Sequence, residues 1–94
     1  MKVKYSDLKN KRVFITGGGS GIGGSIVEHF CEQGSEVYFV DIDLKETKKF
    51  LNKIKKNKFR TPTFIECNLL DINKLEKTIK NIIAKKGPIH ALIN

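Results

Sequence analysis

The apolar positions of this chain switch between two spacings. Short continuous runs rich in β-branched and aromatic residues occur at Arg12 to Thr16, Glu36 to Val40, Thr63 to Cys67 and Ile89 to Ile93. Each is bounded by turn-forming residues, so each predicts a strand. Between them the apolar residues recur at three and four, the period of a helix with one buried face. Gly21 to Gln33 presents Ile22, Ile26, Val27, Phe30 and Cys31 in this way. A second helix carries Leu44, Thr47, Leu51 and Ile54, and a third carries Ile72, Leu75, Ile79, Ile82 and Ile83.

The ends of these helices are written in the same residues. Gly34 supplies a stop that tolerates a left-handed backbone. Asp43-Leu44-Lys45-Glu46 has the form of a capping box, an acceptor side chain with Glu three residues on. Asp71 caps the third helix, and Gly87-Pro88 ends it. The order β-α-β-α-β-α-β predicts an α/β protein, half of a doubly wound parallel sheet with strand order 3-2-1-4 and three helices. Right-handed crossovers put the first two helices on one face and the third on the other. There is no internal repeat and no linker, so residues 1–94 are expected to form one domain.

The reversal of direction between strands 3 and 4 marks where such sheets bind ligands. At that point lies Thr16-Gly17-Gly18-Gly19-Ser20-Gly21-Ile22-Gly23. A loop running from a strand into a helix N-terminus presents unpaired backbone N–H groups and the positive end of the helix dipole, which favours an anion such as a diphosphate. Gly17 permits the tight turn, Gly21 lets the backbone approach a ligand, and Gly23 lets the helix pack closely. A phosphate loop of the G-x-x-x-x-G-K-[ST] type is excluded, because Gly24 stands where Lys is required. Asp41 ends the second strand about 20 residues further on. Its carboxylate either accepts from the ribose hydroxyls of a dinucleotide or begins the turn before the next helix. In the first case it repels a 2′-phosphate and favours NAD over NADP, in keeping with a non-basic Ser20 and with Ile42, not Arg, as its neighbour.

Charge alters the picture little. Hydrophobic residues make up 39% and charged residues 30% of the chain, an ordinary globular balance. The net charge of +8 raises the question of nucleic acid. The cations are sixteen Lys and two Arg, they are scattered, and no aromatic residues alternate with them for base stacking. The Lys53 to Lys58 stretch reads as a solvated helix face, so no nucleic-acid partner is expected. Cys31 and Cys67 have no metal-ligand spacing and read as buried thiols. No apolar run is long enough for a membrane span and no leader pattern precedes Arg12, so no membrane partner and a cytoplasmic location are expected. His29 and His90 lack a nucleophile or carboxylate at a recognisable spacing and read as structural or surface residues.

With T-G-x-x-x-G-I-G at 16–23, Asp41 after strand 2, Cys67-Asn68-Leu69 at the end of strand 3 and Gly87-Pro88-Ile89-His90-Ala91-Leu92-Ile93-Asn94, the chain resembles the short-chain dehydrogenase/reductase family over essentially its whole length. The resemblance implies a Rossmann fold that binds NAD(P). It also implies hydride transfer between nicotinamide and an alcohol or carbonyl substrate. The cofactor-binding residues it implies are Gly17, Ser20, Gly21, Ile22 and Gly23 at the diphosphate, Asp41 at the ribose, Asn68 and Leu69 at the adenine, and Asn94 as the first residue of the family's N-N-A-G. Asn68 replaces the usual Asp; an amide keeps an acceptor and adds donors. As a residue at the end of a strand it also suits a turn.

The family's Ser, Tyr and Lys chemistry lies in a later Y-x-x-x-K region. The one such pattern here, Tyr5-Ser6-Asp7-Leu8-Lys9, precedes strand 1 and is not expected to act. The chain is therefore expected to be a truncated, inactive dinucleotide-binding half with no catalytic residues, prone to self-association through an unpaired strand 4 edge. The rival expectation is a free-standing nucleotide-binding or interaction module that pairs through that same edge.

Overall fold

The computed structural model describes residues 6–19 and 21–94. A single 3-10 turn, Ser6–Leu8, precedes β1 (Arg12–Thr16), α1 (Gly21–Glu32), β2 (Glu36–Asp41), α2 (Leu44–Lys56), β3 (Thr63–Glu66), α3 (Ile72–Lys86) and β4 (Ala91–Ile93). The four strands form one parallel sheet in the order β3-β2-β1-β4. This is the predicted half of a doubly wound fold.

Alternate residues of the strands feed two separate cores, as the period of two requires. Val13, Ile15, Val37 and Phe39 point to one face, where Val27 and Cys31 of α1 and Ile54 of α2 close over them. Phe14, Tyr38 and Val40 point to the other, against Cys67 and Ile82 of α3. The pairing of Arg12 with Glu36 at the start of β1 and β2 is set by the same register. There Glu36 accepts from Arg12 Nε and lies 3.7 Å from Arg60 Nη2.

The caps act as the sequence predicts. Asp43 accepts from the Glu46 N–H at 3.0 Å and Asp71 from the Lys74 N–H at 3.1 Å, each satisfying an orphan donor of the first turn. Gly34 takes φ +83° after α1, and its N–H donates to the Cys31 carbonyl.

Several expected boundaries and buried positions need correction. Helix α1 ends at Glu32, not Gln33, because the chain turns tightly at Gly34. Strand β2 runs on to Asp41 because that residue pairs with Glu66 of β3. Strand β3 stops at Glu66, and β4 begins only at Ala91, after Pro88 has removed a donor. Ile22 and Leu44, expected on buried faces, are 84% and 47% exposed; both lie in the first turns of their helices. Ile72 and Ile83 are likewise exposed, because α3 sinks only Ile82 fully against the sheet.

Candidate functional site

The glycine turn leaves β1 at its C-terminal end, and the N–H groups of Gly17 and Gly18 both donate to the Val40 carbonyl of β2, at 2.8 and 3.3 Å. Gly17 takes φ +69°, a conformation that a side chain disfavours, and thereby turns the chain from the strand toward α1. A Cβ at Gly23 would lie 1.9 Å from the Gly17 carbonyl oxygen, so the first turn of α1 packs directly on the loop backbone. Gly21 opens the helix, and the space where its Cβ would stand is clear of protein atoms within 4 Å. Ile22 projects outward beside it. Ser20 lies outside the described residues, as does Tyr5 of the Y-x-x-x-K pattern.

Asp41 is the anchor of this edge. Its Oδ2 accepts from the Gly19 N–H at 2.8 Å, and its Oδ1 accepts from the N–H groups of Ile42 and Asp43 at 2.7 and 3.0 Å. The carboxylate thus does two things at once: it begins the turn into α2, and it holds the tip of the glycine turn.

Gly17, Asp41, Asn68 and Leu69 line one cleft of about 180 Å³, with Ile42 and Cys67 completing its wall. Four of the residues singled out in the sequence therefore converge across three strand ends. Asn68 Oδ1 accepts from the Leu70 N–H at 2.9 Å, which fixes the turn after β3. Asn94 stands apart from the cleft, at the end of β4, where Thr16 Oγ1 lies 3.4 Å from Asn94 Oδ1. Gly21, Ile22 and Gly23 belong to the helix end beside the cleft and do not line it.

Gly18 and Gly19, expected only as members of the glycine run, and Thr47, expected only on the buried face of α2, all shape the site. A Cβ at Gly18 would meet Phe39 and Val27 at 2.7 Å. A Cβ at Gly19 would lie 2.4 Å from Thr47 Oγ1 and 2.7 Å from Asp41 Oδ2. The signal available in the sequence was a hydroxyl, Thr47, on an otherwise apolar helix face.

The remaining polar groups serve the fold. Arg12 donates to the Pro88 carbonyl and Arg60 to the Gly34 carbonyl, both at 2.9 Å, and His90 Nδ1 accepts from the Arg12 N–H at 2.8 Å. Both arginines are thus engaged at the N-terminal end of the strands, opposite the glycine turn. Burial pushes the Cys31 thiol up to about 12, which keeps it protonated and unreactive. Among the described residues no cluster of His, Cys, Asp and Glu could hold a metal ion, and no helix is long and apolar enough to cross a membrane.

Residues 11–94 match the family model for short chain dehydrogenases. The chain belongs to the short-chain dehydrogenase family. It is 34% identical over 91 residues to a probable galactose dehydrogenase of Rhizobium meliloti, covering 97% of this chain and 36% of that protein. Similarity to a D-xylose 1-dehydrogenase of Caulobacter vibrioides is 36% over 90 residues, or 96% of this chain and 34% of that one. Among solved structures, the citronellol catabolism dehydrogenase of Pseudomonas aeruginosa superposes with a TM-score of 0.80 at 26% identity, covering 98% of this chain and 38% of the other. The chain spans about a third of the length of these relatives. The family is one of oxidoreductases that bind nicotinamide cofactors, and structures with this fold hold NAD in one case and NADPH in another.

Proposed function

We propose that residues 1–94 form one domain, the adenosine diphosphate-binding part of an NAD-dependent oxidoreductase. The observation that carries this reading is the cleft that joins Gly17, Asp41, Asn68 and Leu69 beside the N-terminus of α1. Its volume of about 180 Å³ falls below the roughly 300–1,000 Å³ of complete small-ligand pockets, which suits a seat for one end of a dinucleotide.

The roles follow from the chemistry of each group. The helix N-terminus from Gly21 to Gly23, with Ile22 exposed at its rim and Ser20 preceding it in sequence, receives the diphosphate through backbone N–H groups, and the clear space over Gly21 admits it. Asp41 accepts from the adenosine ribose and repels a 2′-phosphate, so NAD is preferred over NADP. Asn68 and Leu69 flank the adenine, one offering an amide and the other an apolar surface. Asn94, held near Thr16, borders the adenosine side. Bound NAD supplies hydride chemistry toward an alcohol or carbonyl substrate, and these residues supply its orientation. None of them is placed as an acid or base for that reaction, so the 94 residues alone bind nucleotide without turnover.

The unpaired side of β4, with Leu92 exposed, gives the chain a surface for self-association. Calorimetric titration of the 94-residue chain with NAD, AMP and NADP tests the nucleotide reading. NAD and AMP are expected to bind, and NADP to bind at least about tenfold more weakly. Equal affinity for NADP overturns the cofactor preference, and no binding of NAD or AMP at millimolar concentration overturns the site.

A further inference from the structure

Among the described residues, Thr47 carries an unexplained polar group beside this cleft. It is 1% exposed, and its hydroxyl has no hydrogen-bond partner among the described residues. A buried hydroxyl without a partner is costly, and such groups in folded proteins call for a reason. The space around this one points to a reason. Thr47 Oγ1 and Asp41 Oδ2 close on the same point, 2.4 and 2.7 Å from where a Gly19 Cβ would stand, so both oxygens flank the Gly19 backbone.

The acceptor capacity of Asp41 then becomes decisive. An ionised carboxylate has about four acceptor positions. Three are used, by the N–H groups of Gly19, Ile42 and Asp43. A ribose diol brings two more donors, one beyond what remains. The Ile42 and Asp43 amides belong to the turn that starts α2 and are fixed by it. Gly19 N–H is the donor that has a second protein acceptor, Thr47 Oγ1, beside its residue.

We propose that Thr47 is a positioning residue for cofactor binding, whose hydroxyl oxygen accepts the Gly19 N–H when the ribose takes Asp41 Oδ2. The exchange rests on Asp41 holding the ribose. It frees an acceptor on Asp41, gives the orphan hydroxyl a partner, and draws the tip of the glycine turn inward by one hydrogen bond. A binding site that uses the hydroxyl accounts for a buried polar group without a partner among the described residues.

The test compares Thr47→Val, Thr47→Ser and Asp41→Asn in the full 94-residue chain by NAD titration and amide NMR. Valine keeps the shape and removes the acceptor; serine keeps the acceptor and removes the methyl. T47V is expected to bind NAD about tenfold more weakly, the scale of one buried neutral hydrogen bond, and T47S close to wild type. On adding NAD, the Gly19 amide resonance should move in the unaltered chain and in T47S, and stay near its free position in T47V. A packing role for Thr47 predicts the reverse order, with T47S impaired and T47V intact, and that result overturns the proposal. If T47V does not fold, a Gly19 amide unmoved by NAD in the unaltered chain overturns it instead. Weakened binding in D41N with normal binding in T47V removes the role of Thr47 alone. Unchanged NAD affinity in D41N removes the ribose role of Asp41 and this proposal with it.

Discussion

The Gly19 N–H donates to Asp41 Oδ2 at 2.8 Å, so the tip of the glycine turn and the end of the neighbouring strand are held by one charge-assisted bond. The residue proposed to select the nucleotide thus also shapes the loop. Asp41→Ala removes the acceptor of three backbone N–H groups. Two of these sit at exposed residues that water can serve; the Gly19 amide is part-buried and cannot be served as readily. The expected outcome is a loss of about 1–2 kcal/mol in urea unfolding together with loss of NAD binding. A variant that keeps NAD affinity and still excludes NADP would contradict the assignment.

Gly21 and Gly23 separate backbone conformation from contact. At Gly23 the obstruction is the Gly17 carbonyl, 1.9 Å from a new Cβ, and backbone cannot rotate away as a side chain can. Gly23→Ala should therefore displace α1 from the loop, cost about 2 kcal/mol or more, and abolish nucleotide binding. Gly21→Ala meets no protein atom but places a side chain at φ +58°, for which about 1 kcal/mol is expected. Thermal unfolding of the two variants side by side checks the order.

The strands, the helices and the sheet order were legible because β-branched runs, caps and glycine stops agreed with one another along the chain. The cleft was legible in part. Asp41, Asn68 and Leu69 could be placed at strand ends by counting, and strand ends are where a parallel sheet gathers its loops. What could not be read was contact at the scale of one atom. Nothing in the spacing says that Thr47 reaches Gly19, or that Asp41 spends three acceptor positions on its own backbone. The exposure of Ile22, Leu44, Ile72 and Ile83 was also hidden, because helical period identifies a face without saying how far the sheet beneath extends.

Glu36 makes part of the fold's stability depend on pH in the acid range. Burial by itself would raise its carboxyl, but the hydrogen bond and charge of Arg12, helped by Tyr38 and Arg60, hold it below the ordinary value of 4.5. The folded state therefore binds the proton more weakly than the unfolded one, and the stabilisation is complete above 4.5 and lost as pH falls through the lower folded value. Glu36→Gln removes this dependence. Urea midpoints measured from pH 7 down to pH 3 should show the unaltered chain ahead of E36Q at neutral pH and the gap closing below about 4.5. A gap that stays constant with pH would mean that the Arg12 contact does not act through the charge of Glu36.

Leu92 tests the open edge of the sheet. It pairs in register with Phe14 of β1, and it is 59% exposed beside Ile79, Ile83 and Ile89 in a groove between α3 and β4. An apolar groove next to unpaired strand N–H and C=O groups favours edge-to-edge association, and a charge there opposes it. Leu92→Lys should lower the apparent mass at high concentration in analytical ultracentrifugation while leaving the unfolding midpoint within about 0.5 kcal/mol of the original, as for a surface change. Ile82→Ala is the contrasting control. Ile82 is the buried side chain of α3 that packs into the core, so its truncation should cost about 2–5 kcal/mol and, by loosening α3, increase association. If L92K associates as strongly as the unaltered chain, the contact surface lies elsewhere than on β4.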